Sequence, residues 1–150
     1  MILSLSIPVL LKDIKQKSHY EVSNITDAEA RYRAQAGTEK EDEIYRSMVE
    51  VASSLKHRLR RYLDESYQEE ADDQVAIPDS FIYCLSVSDR RADNLLQPLT
   101  DAAHNYVVHY TLSKFYSSVS QGELSNKHSK ETADAAKTID ELIYTKQPPI

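Results

Sequence analysis

Ile44, Met48, Val51, Ala52, Leu55, Leu59, Tyr62 and Leu63 follow one another mostly at steps of three and four residues. Only an α-helix gathers that spacing onto one face, so the segment predicts an amphipathic helix of about six turns lying against a core. Thr38 and Glu41 have the spacing of a capping box at its start. Glu39, Glu41, Asp42 and Glu43 load the first turn with negative charge, which the helix dipole favours and which explains the cluster without catalysis. At the other end Lys56, His57, Arg58, Arg60 and Arg61 form a basic group, and Asp64, Glu65, Glu69, Glu70, Asp72 and Asp73 follow. Two readings stand. The cations complement the helix C-terminus and the acids belong to a solvated loop, or, in a ring-forming protein, Arg58 and Arg61 meet Glu69, Glu70, Asp72 and Asp73 of a neighbouring subunit.

One amphipathic helix needs other elements to cover its stripe. Leu3, Leu5 and Ile7 alternate with Ser4 and Ser6, and Phe81, Tyr83, Leu85 and Val87 alternate with Ile82, Cys84, Ser86 and Ser88. Period two predicts two half-buried strands, and pairing them satisfies backbone groups that either would leave open. Pro8 opens a short helix running to Gln16, and Thr26 with Glu29 starts another over 27–36 that ends at Gly37. The polar, acidic stretch from Ser66 to Pro78 reads as an exposed loop.

Pro98 suits the first turn of a helix whose apolar face carries Leu99, Ala102, Ala103, Tyr106, Val107, Tyr110 and Ser113, and Gly122 is placed to stop it. Leu124, His128, Thr132, Ala135, Ala136, Ile139, Leu142 and Ile143 form the stripe of a final, antiparallel helix. The expected fold is mainly α, an amphipathic helical bundle with a small two-stranded β element around Leu3 and Tyr83. It forms a single domain over 1–145, and Lys146, Gln147, Pro148, Pro149 and Ile150 make an extended tail because the proline pair ends any helix.

Several chemistries lack their residues. Two glycines in the whole chain leave no phosphate-cradling loop. Cys84, the single cysteine, forms neither an intrachain disulfide nor a structural zinc site, which makes an intracellular setting the default expectation. No Gly-x-Ser-x-Gly nucleophile elbow occurs. Asp101 and His104 share a helix face at the spacing of one arm of a di-metal site, but no second Asp/Glu-x-x-His arm occurs on the other helices, so a hydrogen bond on the helix surface accounts for them better. His104 and His109 are five apart and diverge, while His19, His57 and His128 are unclustered in sequence. No catalytic residue, metal or cofactor is expected.

A net charge of -6 opposes attraction to phosphate backbones and anionic lipid. The first eleven residues lack the basic start and cleavage site of a signal peptide, and no apolar run reaches the ~20 residues needed to span a bilayer. Tyr106, Tyr110 and Tyr116 suit equally a subunit interface or a helical core whose hydroxyls reach its edge.

The long helix Ile44 to Leu63 with its basic end leads through a loop to Leu95-Leu96-x-Pro98-Leu99. Ala103-His104-Asn105-Tyr106-Val107-Val108-His109-Tyr110-Thr111-Leu112 and a Lys/Ala/Glu-rich last helix from Ser129 to Tyr144 follow. Over roughly 38–145 this order resembles the head-tail connector family of tailed bacteriophages, also called adaptor or head-completion proteins. The resemblance implies a non-enzymatic virion subunit that forms a closed ring of about twelve copies beneath the portal protein and contacts other tail or connector proteins. It further implies that genomic DNA passes the channel without specific binding, that the 146–150 tail docks on the portal or a neighbour, and that the protein is in host cytoplasm during assembly. The alternative is a non-viral, monomeric or dimeric helical adaptor that binds another cytoplasmic protein.

Overall fold

A computed structural model describes residues 1–64 and 79–144. The chain is mainly α-helical with a small antiparallel sheet, in the order β1 (Ile2–Ser6), α1 (Ile7–Val22), α2 (Ala28–Ala34), α3 (Glu41–Arg58), β2 (Ser80–Cys84), α4 (Asp89–Ser118) and α5 (Gly122–Tyr144). Short 3-10 turns at Thr38–Lys40 and Arg60–Tyr62 flank α3.

The two alternating segments pair as expected, with Leu3 opposite Tyr83 and Leu5 opposite Phe81. Leu3, Leu5 and Tyr83 are buried on one face, while Ser4, Ile2 and Ile82 lie exposed on the other, which is the period-two pattern realised. Tyr83 fastens the sheet to α3 by donating its hydroxyl to the Ala52 carbonyl at 2.9 Å. A further bridge between Leu63 and Leu85 extends the pairing beyond β2.

The α3 stripe is buried from Ile44 through Met48, Val51, Ala52 and Leu55 to Leu59, but the helix ends at Arg58, short of the expected Leu63, and Tyr62 and Leu63 pack at its edge from the following 3-10 turn and extended residue. Its start differs from the expected capping box. Thr38 belongs to the 3-10 turn, Lys40 is the residue before the first helical turn, and no side chain caps it. Glu41 instead pairs with Lys15 on α1, and the Lys40 ammonium turns back to the carbonyls of Tyr32, Arg33 and Gln35 at the end of α2. In the same way α2 is capped by Asp27 rather than Thr26: the Asp27 carboxylate accepts from the Glu29 N–H at 3.1 Å.

Helix α1 does not stop at Gln16 but runs to Val22. Its buried stripe, Leu10, Ile14, Ser18 and Val22, passes through a serine, which breaks the apolar pattern in sequence. Ser18 is fully buried because its hydroxyl accepts the Ala36 N–H at 2.7 Å.

Helix α4 begins at Asp89, so Pro98 lies inside it rather than in its first turn. An interior proline costs about 3 kcal/mol, but each leucine that a helix buries returns about 1.5–3 kcal/mol. Leu95 and Leu99 are buried on either side of Pro98, while Pro98 and Asn94, four residues before it, are both exposed, so the step proline interrupts lies on the helix's solvent side.

The reversal into α5 is a Schellman motif. Gln121 N–H bonds the Tyr116 carbonyl at 2.8 Å and Ser120 N–H bonds the Ser117 carbonyl at 3.4 Å. The left-handed position is Ser120, with φ of 63°, and Gly122 is instead the first residue of α5. Helices α4 and α5 then pack antiparallel along the α5 stripe of His128, Ala135, Ala136, Ile139 and Ile143.

Candidate functional site

The basic end of α3 meets the far end of α5. Arg58 Nη1 donates to Asp140 Oδ2 at 3.0 Å, with its guanidinium 5.8 Å from the Tyr106 ring centre. Arg61 Nη1 donates to the Tyr144 hydroxyl at 3.4 Å, and the Tyr62 and Tyr144 rings meet edge to face at 5.8 Å. The candidate partners Glu69, Glu70, Asp72 and Asp73 and the candidate tail Lys146, Gln147, Pro148, Pro149 and Ile150 lie outside the described residues. Tyr106 and Tyr116 are core residues, 2% and 0% exposed, with Tyr110 packed beside them.

Asp101 and His104 do not bond each other, as a helix-surface pair would. Asp101 accepts from Gln97 Nε2 at 2.9 Å, whereas His104 Nε2 lies 2.8 Å from Asp13 Oδ2 on α1. The tertiary fold thus hands His104 to a carboxylate ninety-one residues away.

Beside Asp13 opens a cleft of about 430 Å³ between α1, α4 and α5, lined by Asp13, Lys17, Glu21, His109, Lys127 and His128 among others. Its inner wall is a chain of polar contacts. Glu21 accepts from His128 Nε2 at 2.7 Å and from Lys127 at 3.0 Å, and the Tyr116 hydroxyl donates to it at 3.4 Å. His128 Nδ1 lies 2.9 Å from His109 Nδ1, the two rings meeting edge to edge and nearly coplanar with centres 5.1 Å apart, while the Tyr116 ring lies 5.6 Å from His128 at a small angle. His128 is 2% exposed and the Glu21 side chain 8%, while His109 is half-buried at the cleft.

Burial alone would raise the Glu21 carboxyl, but hydrogen bonds from His128 and Lys127, together with their charges, outweigh it and hold the group below its ordinary 4.5. Asp13 follows the same balance: hydrogen bonds from Lys17 and His104 overcome burial. Burial, and then the neighbouring His128, push His109 below its ordinary 6.5, while burial raises the Tyr116 hydroxyl and keeps it protonated.

This group can hold and pass a proton. None of the described residues lining the cleft carries an aliphatic hydroxyl or a thiol to act as nucleophile. No three His, Cys, Asp or Glu side chains among the described residues are arranged to hold a metal ion. The signal that marks the group in sequence is His128, the titratable residue within the mostly apolar α5 stripe, which needs a polar partner when buried. Its partner Glu21 carries no such signal, because it stands on the part of α1 beyond Gln16, where the sequence pattern predicts no helix. No described helix is long and apolar enough to cross a membrane. Comparisons with protein-family models, with curated proteins and with solved structures find no match.

Proposed function

We propose that this chain is a head-tail connector subunit of a tailed bacteriophage, a non-enzymatic virion protein that assembles with copies of itself as a ring under the portal and continues the DNA channel. The observation that carries the reading is the junction of α3 and α5. The Arg58–Asp140 and Arg61–Tyr144 contacts bring the basic end of α3 against the end of α5 at one end of the bundle. This gathers the candidate interface cations Arg58 and Arg61 at a single end of the bundle, where a ring subunit can meet its neighbour. The long antiparallel α4 and α5 pair supplies a rigid wall for such a ring. A net charge of -6 suits a channel past which duplex slides without tight phosphate contacts.

One observation favours the second reading, a monomeric or dimeric helical adaptor for another cytoplasmic protein. Arg58 already has an acidic partner within its own chain. Electron microscopy of the protein mixed with the portal encoded beside it, with mass measurement of the free protein, separates the two. The connector reading expects a coaxial ring on the portal; a stable monomer or dimer that leaves the portal bare favours the adaptor. Arg61→Glu is expected to lower ring yield about tenfold, equivalent to about 1.4 kcal/mol per contact, while leaving the monomer folded because Arg61 is exposed. Unchanged yield would remove Arg61 from the interface.

A further inference from the structure

The Nδ1 to Nδ1 contact of 2.9 Å between His109 and His128 accommodates one proton and no more. His128 Nε2–H donates to Glu21, so His128 Nδ1 either is bare and accepts from His109 or is protonated and donates to a bare His109 Nδ1. The pair therefore carries a total charge of zero or one. A second charge puts a hydrogen on both facing nitrogens, which breaks the bond and sets two cationic rings with centres 5.1 Å apart.

From this geometry we infer that Glu21, His128 and His109 form a single-proton clasp that fastens the first half of α5 to α1 and α4, and that doubly protonating the histidine pair releases it. The first proton leaves the clasp closed, since an imidazolium beside the Glu21 carboxylate keeps every hydrogen bond. The second opens it.

Every packed element bears on that second proton. From α1, Asp13 favours it and Lys17 opposes it, and Glu21 is already engaged with His128 and Lys127. From α5, Glu131 favours it, while His128 opposes it and Lys127 adds a further cation at the cleft. On α4, His104 holds Asp13 and the buried Tyr116 offers only a neutral hydroxyl. The cleft gives solvent protons a route to His109. The lowered His109 value agrees in sign. A histidine harder to protonate when folded stabilises the fold above its ordinary 6.5, and that stabilisation is lost progressively as pH falls from there through the lowered value.

The test is amide hydrogen exchange of the full chain from pH 7.5 to 5, corrected for intrinsic rates, comparing residues 124–132 of α5 with the core of α3. Within the window below 6.5 the opening equilibrium of 124–132 is expected to rise about tenfold per pH unit while α3 stays protected. His109→Gln keeps a side chain able to donate to or accept from His128 but takes up no proton, so the rise should disappear. A rise that persists in His109→Gln, or none in the wild type, overturns the clasp. A ring-nitrogen NMR titration of the wild type tests it without any variant. Two steps separated by more than one unit support it, and uptake by both rings together at the ordinary histidine value refutes it.

Discussion

The sheet face of α3 and the cleft side of α5 are both buried, but they are held by different forces. Leu3, Leu5, Tyr83 and Leu55 belong to one buried apolar cluster, and the Tyr83 hydroxyl within it donates to the Ala52 carbonyl. Along the cleft, Glu21, His128 and His109 take the place of leucines, and closure depends on where protons sit. Burial by area is indifferent to pH and tolerant of partner identity, whereas burial through charge-assisted hydrogen bonds is specific to partners and changes with protonation.

The contrast breaks most plainly in the apolar region. Leu99→Ala, at a fully buried α4 position, should lower unfolding free energy by about 3 kcal/mol, equally at pH 7 and pH 5, in chemical denaturation. If its effect changed with pH, the apolar core and the cleft would not be separate.

Glu21→Gln should lower stability by about 2 kcal/mol at pH 7, because His128 and Lys127 lose a charged acceptor while His128 stays buried. The sign with pH follows from the lowered Glu21 value. Its contribution is complete above the ordinary 4.5 and is lost as pH falls through the folded value, so wild type and variant should converge in acid. Parallel stability curves down to acid would show that Glu21 acts by shape alone.

The turn between α4 and α5 predicts the smallest effects. Ser120 holds a left-handed φ of 63° that glycine adopts freely, so Ser120→Gly should raise stability by about 1 kcal/mol. A Cβ at Gly122 meets nothing within 4 Å, so Gly122→Ala should add about 0.5 kcal/mol. Thermal unfolding of the two single variants and the double checks both, and a destabilising Ser120→Gly would contradict the Schellman geometry.

Much of this architecture is legible in the chain. The spacing of Ile44 to Leu59 dictates α3, the alternation at Leu3 and Tyr83 dictates a two-stranded sheet, and the stripe from His128 to Ile143 dictates α5, because period alone decides which side chains share a face. Local signals misled at two helix ends and at one buried serine. Ser18 interrupts the α1 stripe yet is buried on the Ala36 N–H, Thr38 loses its capping role to a 3-10 turn, and Gly122 starts a helix that it was expected to precede. Pro98 is carried inside α4 by the burial of Leu95 and Leu99, a gain that no local propensity contains.

The histidine group could not be read in advance for the same reason. His109, His128 and Glu21 stand on three helices, and their meeting depends on how α1 lies across the α4 and α5 pair. Periodicity along the chain settled which residues turn inward; only the packing of distant helices decided which inward-turned charges found one another, because a hydrogen bond needs atoms about 3 Å apart and sequence spacing sets such distances within one element alone.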